Sequence, residues 1–165
     1  MKIDDPSKAG ALGDPPRLDA GGESVAIVVA RFNAPIVAQL LAGARAAWAR
    51  HGGAAEALTV HRVPGAFELP LAARELALRG RHSAVVALGC VIRGDTAHFE
   101  YVAGESARGL MNVGLETGVP VIFGVLTVEN VAQAEERADP ARLDKGGEAI
   151  EAALEMAALL REIRR

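Results

Sequence analysis

A chain of 165 residues, half of them hydrophobic, is long enough to bury one sizeable core. Its formal net charge of -3, with the two signs interspersed, offers no basic stripe for nucleic-acid phosphates, and its single cysteine excludes an internal disulfide or a CxxC zinc or redox site. Few aromatics and much Ala, Val and Leu favour helices packed on a short Val-rich sheet, an α/β layer fold.

Residues 1–23 are rich in Pro, Gly and Asp and lack an apolar leader segment, so a flexible N-terminal arm is expected, followed by one domain over 24–165. No apolar run reaches membrane length, and a cytoplasmic location with no membrane partner is expected. Val25–Ala30 then reads as a strand buried on both faces. Asn33 as a cap, Pro35 in the first turn, and apolar residues at helical spacing to Trp48 predict a helix that stops at Gly52-Gly53. Further strands are predicted at Ala57–Val63, Ala84–Ile92 and Val119–Val125. Helices are predicted at about Glu68–Leu78, Ala97–Glu116, Glu129–Arg137 and Lys145–Ile163. Alternating βα units joined by right-handed crossovers give a four-stranded parallel sheet with helices on both faces, a three-layer α/β/α sandwich.

In such sheets ligands collect beyond the carboxyl ends of the strands. The residues there are Arg31-Phe32-Asn33, Pro64-Gly65-Ala66-Phe67-Glu68, Arg93-Gly94-Asp95-Thr96-Ala97-His98 and Thr127, a convergence of aromatic, Gly-rich and polar groups that suits a small-molecule pocket. Gly94-Asp95-Thr96 leads into a helix whose free N–H groups favour an anion; the plain alternative is an Asp or Thr cap. His98 in the first turn suits a neutral, proton-accepting imidazole, or is an ordinary surface histidine. Phe32 and Phe67 either stack on a flat heteroaromatic ring or pack inward. Glu68 either accepts from sugar hydroxyls or serves its own helix dipole. Arg137 and Lys145 flank a short turn and are either phosphate ligands or solvated helix-end charges. Cys90, inside an apolar strand, reads as a packing residue. The chain has no GxxxxGK[ST], GxGxxG after the first strand, HExxH or GxSxG, which removes most support for nucleotide hydrolysis, hydride transfer and serine-type hydrolysis.

Five ordered segments together resemble the lumazine synthase family: ARFN (Ala30–Asn33), RVPGAFELP (Arg62–Pro70), ALGCVIRGDTAHFEYVA (Ala87–Ala103), FGVLT (Phe123–Thr127), and EERA (Glu135–Ala138) with DKG (Asp144–Gly146). The resemblance runs from about Ser24 to the C-terminus and implies a flavodoxin-like fold. It implies a transferase that condenses 5-amino-6-(D-ribitylamino)uracil with 3,4-dihydroxy-2-butanone 4-phosphate to 6,7-dimethyl-8-ribityllumazine, without metal or other cofactor. By resemblance Phe32 stacks on the pyrimidine beside Asn33. Ala66, Phe67 and Glu68 hold the ring and ribityl chain, and Val91, Ile92 and Arg93 line the same pocket. Gly94, Asp95 and Thr96 surround the phosphate with Arg137, His98 moves protons, and Lys145 is a further pocket residue. Phe123 reaches a neighbouring subunit's site, which implies a homo-oligomer with a pentamer as the minimum active unit, a sixty-subunit shell as a larger form, and riboflavin synthase as an associated partner.

The chain departs from the family where many shell-forming relatives carry a turn ending in GNKG, for it reads DPARLDKG (Asp139–Gly146), and Pro140 changes the backbone allowed there. Two other readings use the same scaffold: a non-catalytic flavin- or lumazine-binding module, which has no need of His98 or Arg137, and an assembly protein with a vestigial pocket. A flavodoxin-like FMN protein is disfavoured, because Arg31-Phe32-Asn33-Ala34-Pro35 lacks the Ser/Thr content of a phosphate-wrapping loop.

Overall fold

A computed structural model describes residues 16–165. Strands β1 (Val25–Ala30), β2 (Leu58–Val63), β3 (Ala84–Ile92) and β4 (Val121–Val128) form one parallel sheet in the order β2-β1-β3-β4. The helices are α1 (Ala34–Arg50), α2 (Leu69–Leu78), α3 (His98–Thr117), α4 (Val131–Ala138) and α5 (Lys145–Ile163), with short 3-10 turns at Ala55–Ala57 and Ala66–Glu68. Helices α1, α4 and α5 cover one face and α2 and α3 the other, giving the three-layer, flavodoxin-like sandwich expected from the sequence. The central strands explain their own composition: β1 is buried along its whole length and β3 along all but its last residue, so neither has a polar side. Residues 1–15, most of the expected arm, lie outside the described residues. Of the remainder, Leu18 packs on the core, the Ala20 amide donates to the His51 carbonyl (2.9 Å), and the buried Glu23 pairs with Arg161.

Strand boundaries agree with the sequence for β1 and β3 and differ for the others. β4 starts at Val121 and runs to Val128, two to three residues later than Val119–Val125. Val119 and Pro120 belong to the turn after Gly118 (φ 69°), where Pro120 has no N–H to give a ladder; Leu126, Thr127 and Val128 extend β4 opposite Cys90, Val91 and Ile92. Thr127 is therefore a strand residue and does not lie in the loop beyond it. β2 begins one residue late because Ala57 closes a 3-10 turn.

The α1–α5 contact explains the Asp144–Gly147 segment. Asp144 sits in the left-handed region (φ 39°), and its carboxylate accepts the Gly147 amide at 3.0 Å, capping α5. Gly146 lies on the α1 backbone so closely that a Cβ there would stand 1.9 Å from the Leu40 carbonyl oxygen, and one on Gly43 would stand 2.1 Å from the Asp144 carboxylate. Such approach seats Leu40 and Ile150 at 0% exposure, each burial contributing about 1.5–3 kcal/mol. None of the helices among the described residues is long and apolar enough to cross a membrane.

Candidate active site

The chain reverses direction across the sheet between β1 and β3, since α1 carries it outward to β2 and α2 carries it back past β1. Beyond the carboxyl ends of these two strands lies a cleft of about 550 Å³, the place such topology leaves for a ligand. Its walls come from the β1–α1 loop (Phe32, Asn33), the turn before α2 (Gly65, Ala66, Phe67, Glu68), the end of β3 (Cys90, Val91, Ile92) and the start of α3.

The loop after β1 is held against β2, with the Arg31 amide donating to the Val63 carbonyl (2.9 Å) and the Phe32 amide to that of Pro64 (3.2 Å). Fixed in this way, the Phe32 side chain is 72% exposed, and Phe67 is 57% exposed, which decides against inward packing for both. Asn33 precedes α1 in a left-handed conformation (φ 57°), but its side chain does not cap the helix as expected. Its amide nitrogen instead donates to the Cys90 carbonyl at 2.8 Å, so it ties the first loop to the end of β3. The Glu68 carboxylate accepts the Gly65 amide at 2.9 Å, holding the Gly65–Glu68 turn closed while Ala66 is buried beneath it.

At the third wall α3 begins at His98, and the preceding residue, Ala97, has no side chain with which to cap it. The nearest substitute is Thr96, whose hydroxyl accepts the His98 amide at a long 3.4 Å, and neither Asp95 nor Thr96 serves as a conventional cap. Of the first-turn amides, that of Glu100 donates to the Ala97 carbonyl (3.1 Å), so the weakly held His98 amide and its neighbour at Phe99 are the ones left to receive an anion. Gly94, Thr96 and His98 line the cleft, whereas Asp95 is exposed beside it. Cys90 is buried as expected, and burial pushes its thiol up to about 11, far from the thiolate that nucleophilic chemistry needs.

Four expected site residues stand away from the cleft of their own chain. Arg93 turns aside: its Nε donates to Glu129 (2.8 Å) and its Nη1 to Glu100 (2.5 Å), hydrogen bonds that raise the guanidinium pKa further. Arg137 donates to the Gln133 carbonyl (3.1 Å) on its own helix. Phe123, 43% exposed on the edge strand β4, shares a separate groove of about 300 Å³ with Lys145, whose ammonium pairs with Glu148 at 2.5 Å. Phe99, Tyr101 and Val102 were not anticipated from sequence, yet they line the cleft. Tyr101 and Val102 follow His98 by three and four residues and so share its helix face, a spacing that was legible had the face been projected from His98.

A parallel doubly wound sheet with a ligand-sized, aromatic cleft at its switch point defines a small-molecule-binding protein of the α/β class. The chain belongs to the 6,7-dimethyl-8-ribityllumazine synthase family, whose model matches residues 22–161. It is accordingly an enzyme of riboflavin biosynthesis acting on small molecules.

Proposed function

We propose that this chain is the transferase that condenses 5-amino-6-(D-ribitylamino)uracil with 3,4-dihydroxy-2-butanone 4-phosphate, giving 6,7-dimethyl-8-ribityllumazine, phosphate and water. The observation that carries the reading is the meeting of Phe32, an exposed aromatic face, with His98, a helix-start imidazole, in one cleft at the switch point. Phe32 stacks on the pyrimidine, with Asn33 beside it. Ala66, Phe67 and the free capacity of the Glu68 carboxylate hold the ring and the ribityl hydroxyls. Val91 and Ile92 form the apolar floor. Gly94, Asp95 and Thr96, with the open amides of α3, receive the phosphate. His98 takes and returns protons during Schiff-base formation, phosphate elimination and ring closure. Much of the acceleration comes from holding two reactive partners together.

The placement of Phe123, Arg137 and Lys145 outside their own chain's cleft supports a site shared between subunits, with a neighbour supplying the aromatic side chain and the cations. The pentamer is the minimum active unit, and the sixty-subunit shell and association with riboflavin synthase are larger assemblies of the same proposal, acting in the cytoplasm. The test is to mix the two purified substrates with the protein and follow lumazine absorbance against the uncatalysed rate, with native mass measured on the same sample. Turnover above background by a pentamer or larger particle is expected. Binding of the pyrimidine or of riboflavin without turnover makes the chain a flavin- or lumazine-binding module instead.

A further inference from the structure

The guanidinium of Arg93 ties the β4–α4 loop to the start of α3 at the edge of the cleft without facing into it. It bonds Glu129 in the β4–α4 loop (2.8 Å) and Glu100 in the first turn of α3 (2.5 Å), and it lies 4.2 Å from the centroid of the Phe99 ring. The Arg93 backbone amide meanwhile donates to the Val128 carbonyl (2.9 Å), so the residue is fixed at both ends. Phe99, which lines the cleft, directly follows His98. Helix α3 has no side-chain cap of its own, which leaves its first turn without the usual local anchor. A planar, five-donor fork that also stacks on an aromatic ring is suited to replace that anchor, whereas a point charge is not.

We propose that Arg93 is a positioning residue, which through Glu100, Glu129 and Phe99 locks the first turn of α3 so that His98 is held at one place in the cleft. The inference rests on the functional reading above and adds a residue that acts on the reaction through another. The ion pairs are exposed (37% for Arg93 and 60% for each glutamate), and exposed pairs contribute little to stability. The clamp therefore matters for geometry, and its loss leaves the fold standing.

The experiment compares Arg93→Ala and Arg93→Lys with the wild type in steady-state turnover, thermal melting and the NMR resonances of the His98 imidazole. Displacement of a catalytic group by an ångström lowers rates steeply, so Arg93→Ala is expected to lose about tenfold in kcat. KM for both substrates and the melting temperature stay near wild type, and the His98 signal broadens or splits. Arg93→Lys, keeping charge but not the fork, recovers only part of kcat. An unchanged kcat with an unchanged His98 signal overturns the proposal. So does a rise confined to KM for the sugar phosphate, which makes Arg93 a ligand contact, or a loss of activity that tracks a lowered melting temperature. If the wild type shows no turnover, the functional reading has failed, and the His98 resonance alone decides whether Arg93 positions it.

Discussion

The two faces of the sheet are finished differently. On the α1–α5 face, two long helices meet through glycines, and the layer closes over buried residues such as Leu40, Trp48 and Ile150. On the α2–α3 face, the twenty-residue helix α3 buries only Ser106, Leu110 and Val113, while Leu71, Leu78, Tyr101, Met111 and Leu115 remain exposed. The cleft opens at the end of this second layer. The contrast separates two tasks in one small chain: one layer supplies most of the stability within the protomer and lends Arg137 and Lys145 to the proposed shared site, while the other borders the cleft and carries apolar surface that the proposed assembly covers.

Breaking that division is most direct at Gly146. A methyl group there meets the Leu40 backbone, which cannot swing aside, so Gly146→Ala is expected to destabilise by about 3 kcal/mol in urea unfolding. This outweighs the roughly 1 kcal/mol by which Ala improves helix propensity. On the other face Gly109→Ala meets only the Pro70 ring, at 2.7 Å, and a cost of about 1 kcal/mol is expected. Equal costs at the two positions would erase the distinction.

The site is expected to respond the opposite way, in rate and not in stability. His98→Ala should lower kcat roughly 100-fold, a size typical of a lost general acid–base, with residual turnover from proximity and an unchanged unfolding midpoint. Phe32→Ala should raise KM for the pyrimidine about tenfold, in line with the loss of one stacking contact on a base. Because Phe32 contributes exposed and not buried surface, a shifted midpoint in this variant would count against its placement at the rim.

The smallest effect belongs to the ion pairs at the far end of α1. Glu151 accepts from His51 (3.0 Å) and Arg50 (2.9 Å), and these partners, His51 first, hold its carboxyl below the usual range. A depressed carboxyl pKa in the folded state stabilises above the unfolded value and ceases to do so as pH falls through the folded one. Glu151→Gln should therefore cost less than about 1 kcal/mol at neutral pH, where the pair is partly exposed. The difference from wild type should vanish in unfolding curves measured in acid.

The fold was legible where composition and pairing coincide. β1 and β3 are apolar throughout because both their faces are covered, and the ends of these runs are the ends of the strands. The expected β4 starts too early because it takes in Val119 and Pro120, although Pro120 cannot donate to a ladder, and it stops short of Leu126-Thr127-Val128, whose strand character comes from the register against β3. At the cleft, the residues after the strands were found from topology alone. Local pattern points to Asn33 as a cap because it cannot reveal a bond to Cys90, 57 residues away. Lys145 and Gly146 illustrate a further limit: the Asp144–Gly146 motif, which the family resemblance ties to the pocket, is within one chain a helix cap and a close helix contact.

Trp48 is the only tryptophan in the chain, 2% exposed, with its indole N–H donated to the Ala54 carbonyl at 2.8 Å and Gly53 pressed against its ring. It stands near the C-terminal end of α1, at the opposite end of that helix from the loop that carries Phe32. Its fluorescence is therefore a built-in optical reporter of the α1–α5 layer. Emission that shifts to the red on denaturation signals the opening of this layer to water, so folding in every variant can be read by light without reference to the cleft.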